Sequence, residues 1–193
     1  YDPGYTAPPP IPTATSSGVV VDGYLSGATV ARADGSGAVM TNSNGTFSGL
    51  GGSGAIVVTG GIDVSTGQAF TGVLLAPEGS TVVTPLTTLV EQLVSSKFAA
   101  DAASAETMVL QKLGLSATFD LLNADPIALV RAGGNDAAAA FAVQKAGVMV
   151  ATILQSTGNV DPAIGFETAL SNLASFFTGS GTLNLLDSGV LSQ

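Results

Sequence analysis

The character of the sequence changes once along the chain, at Thr84-Pro85. Before this point, short runs rich in Val, Ile and Thr alternate with Gly-containing turn signals, a pattern that predicts short antiparallel strands. Beyond it, apolar residues recur at the spacing of helices. Because strands and helices are segregated along the chain, the sequence predicts an α+β fold. The expected architecture is a small antiparallel β-sandwich over residues 18–83, followed by a four- to five-helix bundle over residues 84–193.

Dipeptide turn signals divide the first half into strands. Asp22-Gly23 follows a β-branched run at residues 18–21, and Asn44-Gly45 is the strongest short hairpin signal in the chain. Asn, Asp and Gly tolerate the left-handed backbone that tight turns require. We therefore expect turns at both dipeptides.

The second half carries helix start signals. Thr84 is placed to act as an N-cap, with Pro85 at the first helical position, and Asp125-Pro126 repeats the arrangement. Further helices are predicted over residues 103–113 and 126–130, from Asn135 or Asp136 to near Gly158, and from Asp161-Pro162 onward, with Phe166, Leu170, Leu173 and Phe177 on one face.

Residues 1–17 hold most of the prolines and show no periodicity. This composition predicts a proline-rich arm or linker of extended conformation. The alternative is an arm that pairs with a neighbouring subunit, because Tyr1, Tyr5 and Ile11 would give it something to bury.

The charge balance excludes several kinds of partner. Five basic residues against fourteen acidic ones give a net charge of −9, so a nucleic acid or an anionic bilayer would be repelled. Only 10% of the residues are charged, so little charge has to be desolvated when two copies meet, and we expect a homo-oligomer or polymer.

Composition also limits the chemistry. The chain has no Cys and no His, which excludes disulfides, thiolate zinc sites and the commonest general base. The long uncharged stretches are interrupted by Gly, Ser, Thr and Asn, so no direct membrane span is expected.

Three phrases in order carry a family resemblance: DGYLSGATVARADGSGAVMTNSNGTFSGL, IVVTGGIDVSTGQAFTGVLLAPEGS and TVVTPLTTLVEQLV. Together they resemble a module of large bacterial secreted and surface-anchored proteins, in the haemolysin-type calcium-binding adhesin and lipoprotein class. The β part is similar to carboxypeptidase-regulatory-like and collagen-adhesin B-type sandwiches. The resemblance implies an extracellular or bacterial cell-surface location and a structural, adhesive or matrix-forming role.

The resemblance also implies a candidate calcium site. In the family pattern the first loop carries several Asp and Asn residues, which suit the oxygen-rich coordination of calcium. The corresponding candidates in this chain are Asp22, Asp34, Asn42 and Asn44. The loop here is short and offers two carboxylates at most, so calcium is the candidate cofactor while plain hairpin chemistry is favoured.

Acidic residues elsewhere are predicted to have structural roles. Asp120, Asn123 and Asp125 precede a helix, where capping is favoured over ion binding. The Glu residues are scattered and the three Lys residues fall on predicted helices, so no acid-base pair is evident and no enzymatic activity is expected.

The sequence therefore predicts a non-enzymatic building block of a bacterial secreted or cell-surface assembly. Self-association would use the arm or strand addition at Val19, Val20 and Val21, and the unusually apolar run AAAAFAVQKAGVMVATIL could meet another copy. One alternative is a ligand- or carbohydrate-binding adhesin lobe. Another is a hydrolase with an unusual Ser-Lys site.

Overall fold

A computed structural model describes residues 15–160, 165–179 and 181–182. In these residues the strands come first and the helices second, which confirms the α+β prediction. The strands are β1 (Ser16–Val20), β2 (Leu25–Ser26), β3 (Thr29–Arg32), β4 (Val39–Met40), β5 (Thr46–Leu50), β6 (Ile56–Thr59), β7 (Ile62–Asp63), β8 (Val73–Ala76) and β9 (Val82–Val83). The helices are α1 (Pro85–Ser95), α2 (Ala102–Lys112), α3 (Pro126–Ala132), α4 (Ala137–Val160) and α5 (Phe166–Phe176).

The strands form three small sheets, in the orders β5-β1-β9, β2-β7 and β4-β3-β6-β8. The expectation of purely antiparallel pairing is wrong at one place, because β9 runs parallel to β1. The two backbone segments approach each other closely there, because a Cβ at Gly18 would collide with the Thr81 carbonyl oxygen. A residue without a side chain is therefore required at position 18.

Buried side chains from all three sheets meet in one apolar cluster. Alternation along β3 and β6 turns Val30, Ile56 and Val58 inward. The other members are Val20, Leu25, Ala28, Phe47, Leu50, Leu74, Ala76 and Val83. The predicted turns are present as well, with positive φ at Gly23 and Gly45.

Helix α1 begins as the sequence predicts. The Thr84 hydroxyl accepts a hydrogen bond from the Thr87 backbone N–H at 3.0 Å, and the Thr87 hydroxyl accepts one from the Thr84 N–H at 2.8 Å. This reciprocal pair is a capping box, followed by Pro85 in the first turn. The apolar stripe of α1 is buried in the helical core.

The same threonines join α1 to the sheet. Strand β8 lies at one edge of its sheet. At Leu75 its N–H donates to the Thr88 hydroxyl at 2.9 Å, and its carbonyl accepts from the Thr87 hydroxyl at 2.8 Å. These hydroxyls therefore occupy backbone groups that an edge strand would otherwise leave open.

Helices α2, α4 and α5 pack against α1, whereas α3 packs against α4. Asp101 caps α2, Asp125 caps α3, and Leu170, Leu173 and Phe177 of the last predicted face are buried. Helix α5 begins at Phe166, whereas the predicted start at Asp161-Pro162 lies outside the described residues.

The sheets and the helices have separate apolar clusters. The helical cluster is built from α1, α2, α4 and α5 with Phe119 and Leu121, and the sheet cluster shares no buried residue with it. A small third cluster of Val21, Val82 and Ile127 lies between β1, β9 and α3. The strand region and the helical region thus contact each other along an interface between two separate apolar cores.

Candidate functional site

The Asp34 loop is organised by its own hydrogen bonds. The Asp34 carboxylate accepts the Ser36 backbone N–H at 2.8 Å, and the residue is exposed at the turn after β3. Hydrogen bonds from Ser36 lower the pKa of Asp34. This is the Asx-turn geometry expected of plain hairpin chemistry.

The Asn42 side chain has the same kind of role in the next turn. Its amide oxygen accepts the backbone N–H groups of Asn44 at 2.9 Å and Thr46 at 3.1 Å. Gly45 then takes a φ of 75° and returns the chain into β5. The Asn42 oxygen is therefore already occupied by its own loop.

The fold does not bring the four predicted metal ligands together. Asp34 follows one end of β3, while Asn42 and Asn44 lie beyond Met40, which pairs with Thr29 at the other end of that strand. Within the described residues, no group of three or more His, Cys, Asp or Glu side chains is placed to hold a metal ion. Calcium binding stays a prediction.

Asp22 has a different neighbour, Asp63, which the sequence does not reveal. The turn at Gly23, with a φ of 88°, lies against Asp63, and a Cβ at position 23 would collide with the Asp63 carboxylate. Asp63 also accepts hydrogen bonds from the Ser65 N–H and hydroxyl, both at 2.7 Å, and from the Thr66 hydroxyl at 2.9 Å. Glycine at position 23 thus allows the turn that carries Asp22 to lie against Asp63.

The two carboxylates differ in their surroundings. Burial, and then the charge of Asp63, raise the pKa of Asp22. Partial burial also acts to raise the pKa of Asp63, but the hydrogen bonds from Ser65 and Thr66 outweigh it and the pKa is lowered. Of the pair, Asp63 therefore holds the negative charge more firmly.

Asp22 borders a cavity of about 370 Å³ between the sheets and helices α4 and α5. Its walls are mainly apolar: Phe70, Val73, Leu74, Pro85, Leu154 and Phe166 line it, together with Asp22, Thr71, Gly72, Ala151, Gln155 and Gly165. A second space of about 210 Å³ shares Asp22, Phe70, Thr71 and Gln155 with the first and reaches Asp63. The two spaces therefore adjoin each other at these four residues and are described below as one site.

The predicted strand-addition residues are not at a free edge. Strand β1 is the middle strand of its sheet, paired with β5 on one side and β9 on the other. Val20 and Val21 are buried. Strand addition at residues 18–21 would therefore have to displace β5 or β9, and association through this strand stays a prediction. Tyr1, Tyr5 and Ile11 lie outside the described residues.

Helix α4 has an exposed apolar face, here called the α4 face: Ala138, Phe141, Ala142, Lys145, Val148 and Thr152. Phe141 is 60% exposed and Val148 56% exposed. The residues recur at helical spacing, so they share one side of the helix. Lys145 is the one charged member.

Helix α4 is relevant to the expectation that the chain has no membrane span. Its stretch Ala137–Gln155 is, by length and composition alone, long and apolar enough to cross a membrane. The same helix contributes Ala140, Val143, Val150 and Leu154 to the helical core. Among the described residues no other helix meets these criteria.

The Asp120 to Asp125 segment has the capping role that the sequence predicts. Asp125 accepts the Ile127 and Ala128 N–H groups at 2.9 and 3.0 Å. It also accepts the Tyr24 hydroxyl at 2.8 Å, and Arg131 lies 5.4 Å from the centre of the Tyr24 ring. This link between the first turn and α3 was not apparent from the sequence.

No family model matches the chain, and no curated protein or solved structure matches it either.

Proposed function

We propose that this chain is a non-enzymatic building block of a bacterial secreted or cell-surface assembly, and that copies of it associate through the α4 face. The observation that carries the proposal is the exposure of Phe141 and Val148 on one side of α4. Large apolar side chains grouped on a surface favour burial against a partner. The family resemblance supports the setting, and a second copy is the simplest partner for a charge-poor surface.

The energetics limit how strong such a contact is. Full burial of a Phe or Val side chain is worth about 1.5–3 kcal/mol, so the exposed parts of Phe141 and Val148 would contribute about 1–2 kcal/mol each. The two side chains together give about 2–4 kcal/mol for each copy, and a two-fold contact doubles this to about 4–8 kcal/mol, which lies in the lower part of the range for the cost of association. The flanking Ala and Thr residues must therefore add to the contact, and we expect weak, concentration-dependent association.

The test is molar mass by light scattering and sedimentation over a range of protein concentrations. We expect the wild-type chain to form larger species as concentration rises, and the double variant Phe141→Ser, Val148→Ser to stay monomeric. The matched control is Met40→Ser with Ile62→Ser, which removes two apolar side chains of similar exposure from the strands. The control should associate as the wild type does.

Two results would contradict the proposal: a wild-type monomer at every concentration, or a double variant that associates normally. Each sample is run in EDTA and in millimolar calcium. Association only with calcium, lost in Asp34→Asn, would instead assign the contact to the predicted calcium loop.

A further inference from the structure

The cavity beside Asp22 has the dimensions of a small-molecule site. Its volume of about 370 Å³ lies within the range of about 300–1,000 Å³ that such sites occupy. It lies where the sheets and helices meet, and each side contributes walls: Phe70 and Leu74 from the sheet side, Leu154 and Phe166 from the helices. Most of the lining is apolar, so a ligand with a hydrocarbon portion would be favoured.

The described polar side chains of the site are either negatively charged or neutral. Asp22 lines the cavity, and Asp63 lines the adjoining space, whereas no Lys or Arg of the described residues lines either of them. No hydrogen-bond donor among the described residues reaches the Asp22 carboxylate. A half-buried carboxylate without a donor or cation is costly, so a ligand that supplies both would be stabilised.

From the cavity and its two carboxylates we infer that this site binds a small organic cation, namely a primary ammonium group carrying a short hydrocarbon chain. The ammonium group lies at Asp22, within the field of Asp63, and donates to the Asp22 carboxylate. The hydrocarbon chain extends along Phe70, Leu74 and Leu154. This site is separate from the α4 face, so binding and association can succeed or fail independently.

An ammonium ion fits these contacts better than the alternatives. A bare divalent cation would find only two carboxylates and an apolar wall, whereas calcium takes six to eight oxygen ligands. A carboxylate ligand would be repelled by both Asp residues. A neutral alcohol could fill the apolar space, but it would gain no charge-assisted hydrogen bond.

Three probes of equal chain length separate these cases: hexylammonium, 1-hexanol and hexanoate. Binding is measured by isothermal titration calorimetry, with saturation-transfer NMR as a second readout. We expect hexylammonium to bind at least about tenfold more tightly than 1-hexanol, since a charge-assisted hydrogen bond is worth about 1.5–3 kcal/mol. Hexanoate should show no binding.

Variants locate the binding. Asp22→Asn should reduce the affinity for hexylammonium to that for 1-hexanol, and leave the affinity for 1-hexanol unchanged. Asp34→Asn is the matched control, because it removes a carboxylate that borders neither space. Ala151→Phe should fill the cavity and abolish binding of both ligands, whereas Thr107→Phe, at an exposed position of α2 that borders neither space, should not.

The proposal is overturned by equal affinities for hexylammonium and 1-hexanol, by no binding of any probe at millimolar concentration, or by wild-type binding in Ala151→Phe. Circular dichroism establishes that each variant is folded. If Ala151→Phe fails to fold, Gln155→Trp at the exposed rim of the site replaces it. Asp63 is the one charged group that acts on the pKa of Asp22 among the described residues, so hexylammonium binding should weaken in acid as Asp22 takes up a proton.

Discussion

Replacing Thr87 by Val tests how α1 is fastened to the sheet. Thr87 is fully buried, and its hydroxyl accepts the Thr84 N–H at 2.8 Å while lying 2.8 Å from the Leu75 carbonyl oxygen. Valine keeps nearly the same shape, so the substitution removes hydrogen bonds without opening a cavity. The Thr84 N–H is left unpaired, at a cost of about 1–3 kcal/mol. The Leu75 carbonyl keeps only a 3.4 Å contact with the Thr88 hydroxyl, which we take to cost about 1 kcal/mol more.

The extra methyl group of Val offsets about 0.8 kcal/mol of this loss, so we expect Thr87→Val to lower the free energy of unfolding by about 1–3 kcal/mol. For a chain of this size that corresponds to a fall in Tm of about 2–12 °C. The assay is urea unfolding followed by circular dichroism. Thr107→Val is the matched control, because the Thr107 hydroxyl bonds the Ala103 carbonyl on an exposed face of α2. The control should change stability by less than about 0.5 kcal/mol. Equal costs for the two variants would refute the reasoning.

Three further stability predictions use the same urea assay. Gly18→Ala should cost about 1–3 kcal/mol, because its Cβ meets the Thr81 carbonyl, and a cost near zero would mean that β1 and β9 are not in contact. Leu89→Ala removes a fully buried side chain from the helical core and should cost about 3 kcal/mol, a loss that a poorly packed core would not show. Burial and the hydrogen bond to Asp125 raise the pKa of Tyr24 to about 12 from 10.0, so the stability that its hydroxyl contributes is present below pH 10 and lost as the pH rises towards 12. Wild type should therefore lose more stability than Tyr24→Phe between pH 9 and pH 11, and equal losses would contradict the link to Asp125.

The helix starts could be predicted from the sequence because they depend on neighbouring residues. Thr84 and Asp125 each cap a helix whose first residue is the proline that comes next, as the local pattern predicts. The order of strands and helices is also a local property, repeated over many residues. The predicted α+β class therefore agrees with the structure, although the parallel pairing of β9 with β1 does not follow from any local signal.

The contacts that shape the candidate site join distant parts of the chain. Asp22 and Asp63 meet only because the turn at Gly23 lies against β7, and a lone Asp in each of two turns predicts nothing about their distance. The contacts of Arg32 could not be predicted from the sequence either. Arg32 is buried and donates to the carbonyl oxygens of Gly51 and Gly54 at 3.1 and 2.9 Å. Its one sequence signal, a charged residue at an inward position of a strand, is also consistent with a strand end.

The edges of the sheets constrain how copies of the chain could associate. Strand β1 has a partner on each side, and the Thr87 and Thr88 hydroxyls occupy the outer backbone groups of β8 at Leu75. Strand addition at these two strands would therefore first require existing hydrogen bonds to break, at a cost in stability. The α4 face requires no such exchange, because Phe141 and Val148 are already exposed. Association by side-chain packing of helices is thus favoured over strand addition at β1 or β8, and it should leave the strand content measured by circular dichroism unchanged.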